Sequence, residues 1–175
     1  MNLYVVRHGE VPSNIEKVIA GCNDEVLTEM GIAQAESVRD RLNNIEFDAV
    51  YSSPVLRAVQ TAHIITGQSI FYDKRLEERN PGSMLGYKRS EINKDEWNSL
   101  DSYVTAQGSE TLLAGIERVK SFLDELSRKY KDEDILIVTH NFICKCIWII
   151  EENVMNPEEI NNFFQKNDEI KVYKR

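Results

Sequence analysis

The feature that most constrains this chain is the alternation of short apolar runs with stretches of helical periodicity. Residues 3–6 and Asp134–Thr139 are apolar runs of strand length, and residues 47–51 and Ile70–Tyr72 are shorter runs of the same kind. Between these runs, apolar residues recur at the spacing of one helix face. The alternation predicts an α/β fold, a three-layer α/β/α sandwich with a mostly parallel central sheet.

Residues typical of helix ends divide the helical stretches. Thr28 is a suitable N-cap, and Ser53 followed by Pro54 is a typical helix opening. Apolar stripes are predicted at Ile32, Ala35, Val38 and Leu42, and at Leu113, Ile116, Val119, Leu123 and Leu126. The predicted helices cover residues 28–42, 54–65, 110–130 and 142–151, with a short helix opened by Pro157 and an edge strand at residues 170–173.

Length and composition favour one globular domain over residues 1–175. The 42% hydrophobic and 29% charged fractions are ordinary for such a domain. A net charge of −8 argues against a general nucleic-acid binder, because phosphate backbones attract basic surfaces. The longest apolar stretch, residues 142–150, is short and carries Lys145, so we expect no membrane span and a cytoplasmic protein.

The cysteines do not indicate a disulfide scaffold. The chain has 3 of them, Cys22, Cys144 and Cys146, which fits the buried thiols of a cytosolic protein. Cys144 and Cys146 have no second cysteine pair, so the sequence predicts no metal site there.

Cationic and imidazole side chains follow two of the predicted strands directly. Arg7 and His8 come after residues 3–6, and His140 comes after Thr139. Ligands of parallel sheets bind beyond the carboxyl ends of the strands, so we expect these side chains to lie together in a site. The third histidine, His63, falls inside a predicted helix beside apolar residues, and we interpret it as structural.

These residue types are suited to holding a phosphoryl group. Arg7 and Arg57 offer planar donors that match phosphate oxygens, and Arg57 lies in the first turn of a predicted helix, where anions are favoured. His8 is a nucleophile when neutral, and Gly9 permits close backbone approach and a positive φ. Each residue alone is more often a surface, ion-pair or core group, but their joint placement at successive strand ends indicates a phosphate pocket.

The same residues fall in ordered motifs that resemble those of a known family. The motifs are Arg7-His8-Gly9-Glu10 with Asn14, Ser52-Ser53-Pro54 to Arg57-Ala58 and Thr61-Ala62, Arg75-Leu76-Glu77-Glu78 to Gly82 and Gly86, and Val138-Thr139-His140. Two weaker matches are Leu27-Thr28-Glu29-Met30-Gly31 and Gly108-Ser109-Glu110. Together they resemble the signatures of the histidine phosphatase superfamily, also called the phosphoglycerate mutase-like group, across most of the chain.

The resemblance implies a role for each matched residue. His8 would attack phosphorus and become a phosphohistidine, and Glu78 would protonate the leaving oxygen and then help to deprotonate the attacking water. Cationic side chains would stand in for magnesium, so no metal or other cofactor is implied. The nonbridging oxygens would be held by Arg7, Arg57 and His140, with Asn14 as a polar helper.

Three positions leave a choice open or depart from the family pattern. Glu77 lies beside Glu78 and alternation places the two on opposite sides, so the spacing to Gly82 favours Glu78 as the acid. Val11 stands where the family usually has a hydroxyl residue. Asn141 stands where the family usually has glycine, and we expect it to tolerate a left-handed backbone there.

The stretch between the acid and the second histidine bears on specificity. Lys88, Arg89, Trp97 and Tyr103 lie in it. They are interpreted either as contacts to a second anionic or aromatic group of the substrate, or as a solvated loop and helix.

The leading interpretation is a metal-independent phosphomonoesterase that acts on a small phosphorylated metabolite, as the broad-specificity and α-ribazole phosphatases of the family do. The compact chain favours a phosphatase over a phosphoglycerate mutase, which usually has longer insertions. A non-catalytic phosphate-binding module is the alternative from another functional class. We expect a small phosphate ester as partner, no nucleic acid or membrane, and a monomer or homodimer.

Overall fold

A five-stranded sheet forms the centre of the protein, in the order β3-β2-β4-β1-β5. The computed structural model describes residues 1–99 and 107–175, so Tyr103 lies outside the described residues. The strands are β1 (Asn2–Arg7), β2 (Ala49–Ser52), β3 (Ile70–Tyr72), β4 (Asp134–Thr139) and β5 (Ile170–Lys174). The first four run parallel, and β5 pairs antiparallel with β1 at the edge. The predicted mostly parallel sheet is confirmed.

Helices cover both faces of this sheet. The helices in the described residues are α1 (Pro12–Glu16), α2 (Glu29–Leu42), α3 (Leu56–Ile65), α4 (Lys94–Trp97), α5 (Leu112–Lys129), α6 (Asn141–Glu151) and α7 (Pro157–Asn162). α2 and α3 pack on one face through a core that includes Val38 and Ala58, and α5 and α6 pack on the other through Val119 and Ile143. The predicted three-layer sandwich is therefore confirmed.

The alternation of side chains along each strand divides the core between the two faces. Val5 and Ile137 belong to the cluster under α5 and α6, whereas their neighbours Val6 and Val138 belong to the cluster under α2 and α3. Burial of one such side chain contributes about 1.5–3 kcal/mol. Both central strands are thus held from two sides, which fixes the positions of the residues that follow them.

The start of α3 differs from the prediction. The helix begins at Leu56 rather than Pro54, and its N-cap is Val55, which makes no side-chain capping bond. The Ser53 hydroxyl accepts a hydrogen bond from the backbone N–H of Val55 at 3.3 Å and lies 2.8 Å from a nitrogen of His140. Ser53 therefore organises the turn before the helix and contacts the second histidine, instead of capping the helix itself.

Two residues of the predicted apolar stripes lie at the surface. Ile32 is 42% exposed and Leu113 is 40% exposed, whereas Ile116 is half-buried and the other later members of both stripes are buried. Both residues lie in the first turns of their helices, α2 and α5, beside buried positions, Gly31 and Leu112. The predicted helical spacing is correct, but the prediction that Ile32 and Leu113 lie on the buried helix face is wrong.

The loop after β1 is pressed against the start of α2. A Cβ built on Gly9 would lie 2.3 Å from the carbonyl oxygen of Gly31, so only glycine fits at this contact. The predicted close backbone approach of Gly9 is confirmed, whereas its φ is not among the positive values. Thr28 caps α2 as predicted, because its hydroxyl accepts from the backbone N–H of Gly31 at 3.0 Å.

Within residues 1–99 and 107–175, no helix combines the length and the apolar character that crossing a bilayer requires.

Candidate active site

His8 is the first residue beyond β1, and its ring is held in one tautomer. Its backbone N–H donates to the carbonyl oxygen of Thr139 at 2.8 Å, which ties it to the end of β4. Its Nδ1 lies 2.7 Å from the carbonyl oxygen of Gly9. A carbonyl oxygen only accepts, so Nδ1 carries the hydrogen and Nε2 carries the lone pair in the neutral ring.

The surroundings of His8 keep its ring neutral. The residue is 2% exposed, and burial, followed by the positive charges of Arg7 and Arg57, lowers the pKa of His8 well below its ordinary value of 6.5. Arg57 Nε donates a hydrogen bond to the Nε2 lone pair at 3.2 Å. The arrangement presents a neutral imidazole nitrogen beside a guanidinium.

Arg57 lies in the first turn of α3, as predicted, and its guanidinium is fixed by backbone carbonyls. Nη1 donates to the carbonyl of Asn23 at 2.9 Å and Nη2 to that of Gly21 at 2.6 Å. Burial lowers the pKa of Arg57, although nearby carboxylates such as that of Glu78 oppose this effect. The side chain is therefore held in place, and its hydrogen bonds go to neutral acceptors, two carbonyl oxygens and the His8 nitrogen, rather than to an acid.

Arg7 ends β1 and is equally buried. Its Nη1 donates to the carbonyl oxygen of Gln165 at 3.0 Å, and the ring of Phe164 lies 4.9 Å from its guanidinium carbon. Its Nε has no hydrogen-bond partner among the described residues. Burial and the charge of Arg89 lower the pKa of Arg7 to about 10. A buried cation with a free donor is suited to an anionic ligand.

His140 lies behind His8 and the two arginines, and it is not among the residues that line the cavity next to them. Its ring centroid is 5.2 Å from that of His8, and its Nε2 lies 2.8 Å from the Ser53 hydroxyl oxygen. The residue is 0% exposed, and its Nδ1 has no partner among the described residues. Burial, then the charge of Arg57, lowers its pKa well below 6.5. The structure thus brings the two predicted strand-end histidines together, with His140 fully enclosed.

Glu78 and Asn14 face the same cavity as His8. Glu78 is among the lining residues and Glu77 is not. One carboxylate oxygen of Glu78 accepts a hydrogen bond from the backbone N–H of Arg79 at 2.9 Å. The side-chain oxygen of Asn14 accepts a hydrogen bond from the backbone N–H of Val11 at 3.3 Å. The placement agrees with the spacing argument that favoured Glu78 over its neighbour.

The cavity has a volume of about 520 Å³ and is rich in cationic side chains. Those that line it are Arg7, Arg57, Arg79, Arg89, Lys94 and Lys145. Trp97 also lines it, but Lys88 does not. In the part of the chain that the structure describes, no three His, Cys, Asp or Glu side chains are grouped to hold a metal ion.

Sequence reasoning missed Arg79 and Lys145. Arg79 directly follows Glu78, but nothing in its neighbourhood indicates that its guanidinium turns inward to be only 3% exposed. In the sequence Lys145 is only a charge that interrupts the apolar run of residues 142–150, whereas in the structure it is 6% exposed. A lysine on the buried face of an apolar helix was the available signal.

Sequence reasoning also missed the segment of residues 163–167. The backbone N–H of Gln165 donates to the side-chain oxygen of Asn141 at 2.9 Å, and Asn167 Nδ2 donates to the carbonyl of His8 at 2.5 Å. Asn141 lies in the first turn of α6 and has no positive φ, so the expected left-handed backbone is wrong. Its side chain instead attaches this segment to the site.

The remaining singled-out residues lie outside the cavity. His63 is exposed on α3, and its Nε2 lies 3.2 Å from the hydroxyl of Tyr72. Cys144 and Cys146 are buried free thiols as expected, whereas Cys22 is exposed.

Comparison with protein families decides the identity of the chain. The model of the histidine phosphatase superfamily (branch 1) matches residues 3–174. The chain belongs to this superfamily. Fructose-2,6-bisphosphatase TIGAR of Xenopus tropicalis is 39% identical over 142 residues, which cover 75% of this chain and 51% of the frog protein. This superfamily member therefore spans about half the length of that relative.

Two further matches extend over more of both chains. Phosphoglycerate mutase-like protein 4 of Arabidopsis thaliana is 32% identical over 158 residues, covering 83% of this chain and 69% of the plant protein. Phosphoserine phosphatase of Entamoeba histolytica, solved in complex with 3-phosphoglyceric acid, superposes with a TM-score of 0.87 at 26% identity. That superposition covers 98% of this chain and 89% of the other.

Proposed function

We propose that this member of the superfamily is a metal-independent phosphomonoesterase acting on a small phosphate ester through a phosphohistidine on His8. The observation that carries the proposal is the neutral ring of His8, with Nδ1 donating to Gly9 and Nε2 next to the guanidinium of Arg57. Arg7 and Arg57 are buried, and their hydrogen bonds within the described residues go to backbone carbonyls and His8 rather than to carboxylates. A dianionic phosphoryl group supplies the missing negative charge.

The reaction follows from these positions in two steps. The phosphoryl oxygens take over the donors of Arg7 and Arg57, which frees the Nε2 lone pair of His8 to form a bond to phosphorus. The bond from phosphorus to the ester oxygen breaks, and Glu78 gives its proton to the leaving alcohol. Water then attacks phosphorus, Glu78 takes a proton from it, and the N–P bond breaks to release inorganic phosphate and neutral His8.

Several groups must act together in this site. Phosphate monoesters hydrolyse so slowly in water that enzymes accelerate the reaction by up to ~10²¹-fold, or about 28 kcal/mol. One charge-assisted hydrogen bond contributes roughly 1.5–3 kcal/mol. The clamp of two arginines, the aligned nucleophile and the acid share the task. Although His140 is enclosed, its Nδ1 has no partner among the described residues, and we propose that this atom holds a phosphoryl oxygen, with Asn14 to assist.

The experiment is a turnover assay with p-nitrophenyl phosphate in the presence of EDTA. The proposal predicts steady release of nitrophenol by the wild-type protein and its loss in His8→Ala. His63→Ala is the matched control, because it removes an exposed histidine of α3 and should leave turnover unchanged. Full activity of His8→Ala, or activity that disappears with EDTA and returns with a divalent metal, would overturn the proposal.

The relatives give two further outcomes to test. The frog relative is named a bisphosphatase and the Entamoeba structure a phosphoserine phosphatase, whereas the plant relative is named mutase-like. We propose hydrolysis rather than transfer for this chain. Interconversion of 2- and 3-phosphoglycerate without release of phosphate would favour a mutase, and tight phosphate binding without turnover of any ester would favour a binding module.

We further propose that residues 1–175 act as one domain, since β1 and β5 from the two ends of the chain pair in the same sheet. A cytoplasmic location and a monomer or homodimer remain part of the proposal. Limited proteolysis and light scattering test the domain and the oligomer.

A further inference from the structure

Lys145 is a buried ammonium group in the wall of the cavity. It projects from α6 and is 6% exposed, and its Nζ donates to the side-chain oxygen of Asn98 at 2.7 Å. No carboxylate of the described residues forms an ion pair with it. Burial lowers its pKa to about 8, with smaller influences from Cys146, Arg79, Glu78 and Lys94. The buried ammonium group of Lys145 therefore has a neutral amide as its hydrogen-bond partner, although a buried cation is stabilised mainly by an anion.

Arg79 is a second buried cation in the wall of the same cavity. Nε donates to the carbonyl of Glu110 at 2.7 Å and Nη1 to that of Trp97 at 2.7 Å, while Nη2 has no partner among the described residues. Its guanidinium carbon lies 3.7 Å from the centroid of the Trp97 ring, so the plane of the donors is fixed. Burial lowers the pKa of Arg79 to about 10.

Two carboxylates, Glu110 and Glu78, act electrostatically on these cations, and each has another partner or role. Glu110 binds Arg118 with both oxygens, at 2.5 and 2.8 Å. Glu78 is the proposed acid of the reaction. The phosphoryl group of a substrate would compensate Arg7 and Arg57, but one phosphoryl group leaves Lys145 and Arg79 without a counterion among residues 1–99 and 107–175.

We propose that Lys145 and the free Nη2 of Arg79 form a second anion-binding subsite. The substrate is then a phosphate monoester that carries a second acidic group, either a carboxylate or another phosphate. The hydrolysis of such a substrate rests on the proposed function, whereas the binding of its second acidic group at the subsite does not.

The test compares the binding of ligands that cannot be hydrolysed. 3-Phosphonopropionate and propylphosphonate have similar length, and only the first has a carboxylate; propane-1,3-diphosphonate supplies a second phosphonate instead. Isothermal titration calorimetry at neutral pH gives the affinity of each. Wild type should bind at least one of the two doubly acidic ligands about tenfold to a hundredfold more tightly than propylphosphonate, as expected for a charge-assisted contact.

Substitutions at Lys145 assign this preference to its ammonium group. Lys145→Met should bring the affinity ratio close to one, whereas Lys145→Arg should keep most of it. Propylphosphonate should bind all variants within about twofold of wild type, because it does not reach the subsite. Lys120→Met is the matched control, since Lys120 is exposed on α5 and should keep the full ratio.

The outcomes separate this subsite from the proposed function. The subsite is overturned if wild type binds all three ligands with equal affinity, an outcome that requires no variant. It is also overturned if Lys145→Met and a second variant, Lys145→Gln, both keep the preference for a doubly acidic ligand. Circular dichroism and the melting temperature show whether these variants fold. If wild type prefers a doubly acidic ligand but does not hydrolyse p-nitrophenyl phosphate, the subsite stands and the proposed function fails. If wild type hydrolyses p-nitrophenyl phosphate but binds all three ligands equally, the proposed function stands and the subsite fails.

Discussion

Arg57 Nε donates a hydrogen bond to His8 Nε2 over 3.2 Å, so the guanidinium occupies the lone pair that the proposed reaction uses. The two residues come from different elements, since His8 directly follows β1 and Arg57 lies in the first turn of α3. An incoming phosphoryl group competes for this donor. Substrate binding and release of the nucleophile are therefore the same event in this account.

Replacement of Arg57 tests this coupling. Arg57→Lys keeps the charge but loses the planar donors that reach His8 and the carbonyls of Gly21 and Asn23. We expect kcat/KM for p-nitrophenyl phosphate to fall by about 10²–10³, the usual effect of removing one preorganised donor. Arg39→Lys, on an exposed part of α2, should stay within about twofold of wild type. Equal activity of the two variants would contradict the role of Arg57.

Glu78 and Glu77 can be separated by the choice of leaving group. Glu78→Gln removes the proposed acid and should lower kcat by about 10²–10⁴ for an alkyl phosphate such as glycerol 3-phosphate. The loss should be smaller for p-nitrophenyl phosphate, because nitrophenolate leaves without being protonated. Glu77→Gln is the control and should affect neither substrate. Equal losses on both substrates in Glu78→Gln would argue against an acid at this position.

Asn141 should control phosphate binding through Arg7. Its side-chain oxygen accepts from the backbone N–H of Gln165, whose carbonyl oxygen accepts from Arg7 Nη1. Asn141→Ala leaves a buried N–H without a partner, which costs about 1 kcal/mol, and should weaken the binding of inorganic phosphate about fivefold.

The control for Asn141 is Asn156→Ala. Asn156 caps α7 by accepting from the backbone N–H groups of Glu158 and Glu159, so its loss should lower the melting temperature similarly. It should leave phosphate affinity unchanged. If both variants weaken phosphate binding equally, Asn141 has no special connection to the site.

The histidine pKa values predict how stability depends on pH. Burial lowers the pKa of His8 and His140 below 6.5 in the folded protein, so below that pH the unfolded chain binds more protons. Their contribution to stability is therefore fully present above about pH 6.5 and is lost as the pH falls, at up to about 1.4 kcal/mol per pH unit for each histidine.

Urea unfolding of wild type between pH 5 and 7 measures this slope. His8→Gln and His140→Gln should each reduce it, because each removes one of the two buried rings. A slope that is the same in all three proteins would show that neither His8 nor His140 titrates differently on folding.

The sequence was most informative where a local pattern determines the structure. β4 spans the predicted residues Asp134–Thr139, because a run of apolar residues between polar ones has few alternatives in a covered sheet. The edge strand β3 likewise spans the predicted Ile70–Tyr72, although its side chains are largely exposed. The meeting of His8 and His140 also followed from sequence, since the carboxyl ends of parallel strands share an edge.

The parts that sequence did not reveal depend on contacts between distant segments. Arg7 is held by the carbonyl of Gln165, and Lys145 by the side chain of Asn98, contacts that no local spacing encodes. The tautomer of His8 also depends on backbone geometry rather than on residue type. Asn141 shows the limit most clearly, because the sequence reveals its departure from the family pattern but not its contact with Gln165.

The most direct measurement is the identification of the phosphorylated residue. Wild-type protein is mixed with a radiolabelled phosphate ester in EDTA, quenched within milliseconds in alkali, digested and analysed by mass spectrometry. The account predicts label on the peptide that contains His8, stable in alkali and lost in acid, and no label in His8→Ala. Turnover without any phosphorylated protein, or label on another residue, would contradict it.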